Sequence, residues 1–337
     1  MTRSERSGTA RIAVDLLGGD RAPAVVVDGA LQACNADPDL HLHLVGPPDV
    51  ADEVFSASTP DIRRRLTVRP VDAAVGMADA PARGARPDTT VSAAVSAVAG
   101  GMADAVVSAG ASGAIVTAAV LGLGRVPGVR KPALAAIVPS RSGPLMLLDV
   151  GASLDTSAGV LVQHAILGAR YAVTVLGLPE PRVGLLSIGA EHGKGDRLRR
   201  LADDALRNAL PQYVGNVEGN DVPLGGRADV VVTDGFTGNV LLKGIEGAFL
   251  LAGGVASDSV APRGAALLGV RGQVVVCHGA ATGADIASGI AFAARLHRTR
   301  AAAEFAWVPR LGLAGDDNNA PPPGPARSRA ALTWKKG

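Results

Sequence analysis

Residues 228–251, ADVVVTDGFTGNVLLKGIEGAFLL, decide the fold. The β-branched run 229–233 reads as a buried strand, and the turn Asp234-Gly235-Phe236-Thr237-Gly238-Asn239 follows it. From Gly238 to Leu251 the small and apolar residues suit a helix packed closely on a sheet. Strand, glycine turn and helix in succession is the unit of an α/β fold, and it recurs along the 337-residue chain. Strands are predicted at 11–17, 41–45, 66–70, 104–108, 133–138, 145–150, 182–188, 229–233 and 273–277. Helices are predicted at 23–35, 89–100, 112–124, 157–176, 196–210, 238–251 and 284–298. No period of the solenoid kind is present.

Composition narrows the function classes. With 47% hydrophobic residues the chain can bury a large core without metal or disulfide staples, and its two cysteines, Cys34 and Cys277, lack the paired spacing of a disulfide framework or zinc site. A reducing, cytoplasmic setting is expected. The formal charge is +2 and aromatics are 3%, so few rings could stack on bases and nucleic acid is not an expected partner. Residues 1–10 are polar, and apolar runs elsewhere are broken by Gly, Pro or charge, so no membrane crossing or stable insertion is expected. Residues 1–10 and 315–337, the latter with DDNNAPPPGPARSRA, carry too little apolar surface to fold; both are expected to be disordered around one domain over 11–314.

Six glycine-containing turns follow predicted strands: Gly18-Gly19-Asp20, the stretch 109–113, the stretch 149–153, the stretch 189–195, the stretch 234–239 and the stretch 278–282. In a parallel sheet such turns gather at the carboxyl edge, so that edge is the expected site. Glycine lets backbone amides approach an anion, and the helix behind each turn adds unpaired N–H groups. A single such turn is often mere connection; six polar-edged ones point to a phosphate-bearing substrate. None has the spacing of a dinucleotide fingerprint or a nucleotide P-loop, which disfavours NAD and ATP. There is no GxSxG elbow, and neighbouring Cys277 and His278 would point to opposite faces of a strand, which argues against a Cys/His pair. His41 and His43 lack a third ligand, so no metal is expected. Arg63-Arg64-Arg65 and 197–200 read as solvated faces or as contacts to an acidic carrier protein.

Read in order, these turns resemble the PlsX family of acyl-carrier-protein:phosphate acyltransferases. The opening VDLLGGDRAP resembles VDxMGGDxxP, 103–114 resembles ADAxVSAGNTGA, and 148–155 resembles LDVGANxD. The stretch 182–195 is similar to GLLNIGxExxKG, 215–219 to GNVEG and 228–239 to ADVVVxDGFxGN. Leu267-Leu-Gly269-Val and His278-Gly279 continue the order, so the resemblance spans roughly 11–295. It implies a three-layer α/β/α fold of the isocitrate/isopropylmalate dehydrogenase type, mostly parallel, with two lobes, a cleft between them, no cofactor and a homodimer. The implied reaction converts a fatty acyl thioester of acyl carrier protein, or acyl-CoA in a short-chain variant, and inorganic phosphate into acyl phosphate for phospholipid synthesis.

Phosphate is already anionic, so the protein has chiefly to position it and stabilise charge on the carbonyl oxygen. Lys194, in a glycine-bracketed turn, is the candidate for phosphate or the oxyanion. Asp234 and Asn239 are candidates to orient substrate or water, with Asp234 also placed to cap its helix, and Gly235 and Gly238 would supply amides. By resemblance, Asp15, Gly19, Asp20, Ser112, Gly113, Asp149, Gly151, His278 and Gly279 are substrate contacts. The chain departs from the family pattern at Arg21 (His), Ala111 (Asn) and Ser153 (Asn), follows its MxDEP block only loosely over 77–90, and shortens a helical excursion to 248–263. These departures also leave open a catalytically silent paralogue acting as a binding partner.

Overall fold

The computed structural model describes residues 8–253 and 262–299. The chain runs β1 (Ala10–Asp15), α1 (Ala24–Ala36), β2 (Leu40–Gly46), α2 (Pro48–Ala57), α3 (Pro60–Arg63), β3 (Leu66–Pro70), α4 (Thr90–Ala99), β4 (Ala105–Ser108) and α5 (Ser112–Gly122). A second stretch follows with β5 (Ala133–Ser140), β6 (Gly143–Leu148), α6 (Ala158–Tyr171), β7 (Val183–Leu186), α7 (Arg197–Ala209), β8 (Tyr213–Val217), α8 (Asp221–Leu224) and β9 (Val230–Val232). Last come α9 (Gly235–Leu251), β10 (Gly264–Leu268), β11 (Gln273–Cys277) and α10 (Gly283–Arg298).

Among the described residues the strands form one sheet in the order β3-β2-β1-β4-β11-β10-β5-β6-β9-β7-β8. Strand alternation feeds two cores. Ile12, Val14, Val230 and Val232 face α1, α6, α7 and α10, whereas Ala13 and Val231 face α4, α5 and α9. This is the expected three-layer α/β/α arrangement. The stretch Ala158–Leu176 is long and apolar enough to cross a membrane by length and composition, but Val160 to Ala169 are buried between the sheet and α7, which makes it the core helix of this layer.

One expectation is corrected. The sheet does not have a single carboxyl edge: β10 runs antiparallel to both β11 and β5, and β5 is antiparallel to β6. The two parallel halves, β3-β2-β1-β4-β11 and β6-β9-β7-β8, therefore point in opposite directions. The reversal falls at the β5–β6 hairpin, since β10 is antiparallel to both of its neighbours and leaves β11 and β5 parallel; β10 itself, GAALL, has no β-branched residue, so composition does not mark it as a strand. Strand β8, YVGNV, carries Val214 and Val217 but is interrupted by Gly215, which sits at φ +95° beside a register shift.

The expected N-terminal boundary moves by one residue, because Ala10 already opens β1. The disorder expected of the rest of the leading segment and of 315–337 concerns residues 1–7 and 300–337, outside the described residues. Helix α9 continues to Leu251, and 254–261 of the shortened excursion also lie outside them.

Candidate active site

The first half gathers Asp15, Gly19, Asp20, Ser112, Gly113, His278 and Gly279 at its carboxyl edge. Asp15, buried at the end of β1, accepts from Ser108 Oγ at 2.7 Å and from the Leu17 amide at 3.2 Å. Burial raises its carboxyl above the usual carboxylate range, against the hydrogen bonds of Ser108, Thr90 and the Leu17 and Gly18 amides. Its side chain thus ties β1 to β4 and borders a cavity of ≈ 10 Å³, about the size of one water, together with Thr90, Ser108 and Ala111. Gly19, at φ +118°, lets the first turn lie against Ala109 and Gly279, and the Asp20 amide donates to Gly279 O at 2.8 Å. At the start of α5, Ala111 has no side chain to cap the first amides, so Ser112 and Gly113 open the helix toward this edge.

The second half gathers Asp149, Gly151, Lys194, Asp234, Gly235, Gly238 and Asn239. Asp149 is fully buried; its Oδ1 accepts from the amides of Leu134, Gly151 and Ala152, and its Oδ2 from the amide and hydroxyl of Ser153, all at 2.8–3.0 Å. The structure therefore places this carboxylate inside the turn as its organiser. Gly235 and Gly238 seat α9 on that turn: a Cβ at either would meet the Ser153 or Asp149 carbonyl oxygen at 2.3 and 1.9 Å. Asn239 Nδ2 donates to Val150 O at 3.0 Å and fixes the other side of the seat.

Asp234 is the N-cap of α9, accepting from the Thr237 amide at 2.9 Å and its hydroxyl at 2.8 Å. Arg199 also pairs with it. Burial would raise its carboxyl, but the Thr237 donors and the Arg199 guanidinium outweigh that and hold it below the usual range. Capping and siting at the turn are thus both realised. Lys194 lies between Gly193 (φ +82°) and Gly195 (φ +98°), exposed, and its Nζ makes no hydrogen bond or ion pair among the described residues.

The two groups sit at opposite edges of the sheet, yet α9 joins them. Strands of four to five residues are only about 15 Å long, and the rise from Gly235 to Lys243 is about 12 Å. Lys243, one helical turn beyond Asn239 on the same face, lies 2.8 Å from His278 of the first group. The turns from both edges thus border a common stretch of α9.

Some residues behave differently from their sequence reading. Arg199 and Arg65 are not solvated: each side chain is 11% exposed, the first paired with Asp234 and Asp196, the second donating to the carbonyls of Cys34, Asp37 and Leu40. The signal for Arg199 was present, since Asp196 caps α7 and Ala202, Asp203 and Leu206 continue the buried stripe from position 199. Cys277 packs under α10, where burial pushes its thiol up to about 12, and His278 points away, so no Cys/His pair exists there. His192, Asp203 and Asp204 bring potential ligand atoms within 4.8 Å of one another, a geometry open to a cation, although Asp203 already accepts from Tyr213 at 2.7 Å and pairs with Arg207.

Comparison with known proteins places these features in context. Residues 10–262 match the family model described as "Fatty acid synthesis protein". The chain is 42% identical over 239 residues to the phosphate acyltransferase of Desulfitobacterium hafniense strain Y51, covering 70% of each chain. It is 40% identical over 300 residues to that of Heliobacterium modesticaldum, covering 80% of this chain and 88% of the relative. A phosphotransacetylase structure from Streptococcus pyogenes shares the fold at TM-score 0.64 and 17% identity, over 87% of this chain and 94% of that one. A 4-hydroxythreonine-4-phosphate dehydrogenase from Klebsiella pneumoniae does so at TM-score 0.54 and 13% identity, over 86% and 98%.

Proposed function

The chain belongs to the phosphate acyltransferase family, and from that premise we propose that it moves a fatty acyl group from acyl carrier protein to inorganic phosphate, giving acyl phosphate for phospholipid synthesis. The observation that carries this reading is the exposed Lys194, unpaired among the described residues, in the glycine-bracketed turn that leads into α7, the helix whose Arg199 pairs with Asp234 at the start of α9. A phosphate oxygen attacks the thioester carbonyl carbon, the C–O bond forms, charge gathers on the carbonyl oxygen, and the C–S bond then breaks. The thiolate leaves and takes a proton from solvent. No covalent enzyme intermediate is required, consistent with the absence of a nucleophile and base pair among the residues of this site. A cytoplasmic homodimer goes with this reading, and the exposed Leu250 and Leu251 at the end of α9 are apolar surface that pairing would cover.

A long acyl chain, rather than an acetyl group, is supported by an apolar groove of ≈ 380 Å³ along α9, lined by Pro223, Val240, Leu241, Ala248 and Phe249 over Gly244. It starts one residue from Asn239. A Cβ at Gly244 would meet nothing within 4 Å, so Gly244→Leu can be introduced without a backbone clash and extends into the groove that Gly244 lines. Each methylene denied burial costs about 0.8 kcal/mol, so displacing two or more shifts preference from long to short acyl donors by roughly tenfold. Chain-length series of kcat/KM measure this, and an unchanged profile would remove the groove from acyl binding.

The reading itself is tested by incubating the purified protein with phosphate and a panel of acyl-carrier and acyl-CoA thioesters, and trapping acyl phosphate with hydroxylamine. Product from the carrier-bound donors is expected. Product from short acyl-CoA alone would establish the short-chain alternative, and no product from any donor would sink the enzyme assignment in favour of a silent binding partner.

A further inference from the structure

We propose that Lys243 and His278 form a second anion site, which holds a phosphate group of a substrate; the choice of ligand rests on the acyl-transfer reading above. Two donors facing each other carry the inference. The Ala280 amide donates to His278 Nδ1 at 3.1 Å, so the ring proton is on Nε2. That nitrogen lies 2.8 Å from Lys243 Nζ, and an ammonium has three protons and no lone pair. Neither group can accept from the other. The pair is satisfied when an oxygen receives an N–H from both.

Glu246, the residue one turn further along α9, places Oε2 4.0 Å from His278 Nε2, beyond hydrogen-bond length. It partly offsets the positive charge without completing the pair. Its carboxylate would also repel an incoming anion, which makes it a competitor for the site. The loop bearing His278 is held in place beforehand: Arg21 donates to the carbonyls of Ala280 and Ala281 at 2.6 and 2.8 Å, and the Asp20 amide holds Gly279 O. Arg21 is one of the positions where the chain departs from its family's pattern, and this gives it a positioning role.

Both His278 and Lys243 are exposed, so a ligand can reach them, and Lys243 stands about 6 Å along α9 from Asn239. A phosphate group fits this pair better than a carboxylate, since it offers more acceptor oxygens to an ammonium and an imidazole N–H at once. Two substrates of the reaction carry one: inorganic phosphate itself, and the phosphopantetheine arm of the thioester donor.

Equilibrium binding to the full chain separates them, with inorganic phosphate and 4′-phosphopantetheine as the two probes. Lys243→Met is expected to weaken one or both by about tenfold, the loss of one charge-assisted bond. Glu246→Gln is expected to tighten the same probe by about two- to threefold, because it removes a like charge near the site. Weakening toward inorganic phosphate assigns the nucleophile to the pair, and weakening toward phosphopantetheine alone assigns the donor arm. Unchanged affinity for both probes in Lys243→Met, or a loss in Glu246→Gln as well, would overturn the proposal. Because neither measurement needs turnover, a protein that binds a probe through this pair but makes no acyl phosphate would sink the acyl-transfer reading alone.

Discussion

Lys194→Met is expected to lower turnover by about 10²- to 10³-fold, the usual loss when one preorganised donor to a developing oxyanion is removed, while leaving the melting temperature unchanged. The two halves of that expectation have separate causes. Lys194 projects from a turn whose path is set by Gly193 and Gly195 at positive φ, and its ammonium has no partner among the described residues, so nothing in the fold depends on it. A lysine with no ion pair among the described residues, exposed in a turn between two glycines, stabilises negative charge arriving with substrate. Saturating the variant with phosphate distinguishes the two roles open to it. If the ammonium holds the nucleophile, KM for phosphate rises and kcat recovers; if it meets the carbonyl oxygen, kcat stays low at any phosphate concentration. Full activity in the variant would remove Lys194 from the chemistry.

The fold was legible where strands are β-branched and flanked by glycine turns, as at 229–233 and 273–277, because burial on both faces of a sheet leaves a continuous apolar run. It was not legible at β10, where Ala265, Ala266 and three neighbours pair between β11 and β5 without any strand-forming signature of their own. The direction of the second half is set instead by the β5–β6 hairpin, whose strands are legible at 133–138 and 145–150; reading every turn onto one carboxyl edge misplaced half of the turns relative to the other half. The local signal was the two-residue link Arg141-Ser142 before Gly143, at φ +118°, which can join only an antiparallel pair.

The candidate site was legible as a set of glycine turns but not as a division of labour within them. Asp15 and Asp149 look like substrate contacts in one dimension, since they sit in the turns. In the structure their carboxylates point inward, one to Ser108 and the other to five donors of its own neighbourhood. Asp234 and Lys194 look equally turn-bound, yet the first is paired with Arg199 and only the second is free. What decides between these fates is the direction of each side chain, and the sequence pattern carries that only where a cap or a buried stripe fixes it, as Asp196 does for Arg199.

Asp149→Asn should then be the most damaging isosteric change in the second half, lowering stability by roughly 3 kcal/mol or more, since a buried charge-assisted acceptor is lost and its donors are left unpaired. The shape is kept, but one oxygen becomes an NH₂ group. Placed at Oδ2 it faces the amide and hydroxyl of Ser153; placed at Oδ1 it faces the amides of Leu134, Gly151 and Ala152. Either orientation sets donors against donors in a site with no water access. Ser153→Ala is the matched control: it removes one of the two bonds to Oδ2 and should cost only about 1 kcal/mol. Thermal melts of the two variants read the difference, a drop of roughly 4–5 °C against one to two degrees for a chain of this size. Activity should fall with the Asn variant as well, because the same turn supplies Val150 O to Asn239 and Ser153 O to the Gly235 amide, the contacts on which α9 is seated. An Asn variant that melts and turns over like the parent would mean that the carboxylate is not the hub of this turn, and that the glycines alone hold α9 in place.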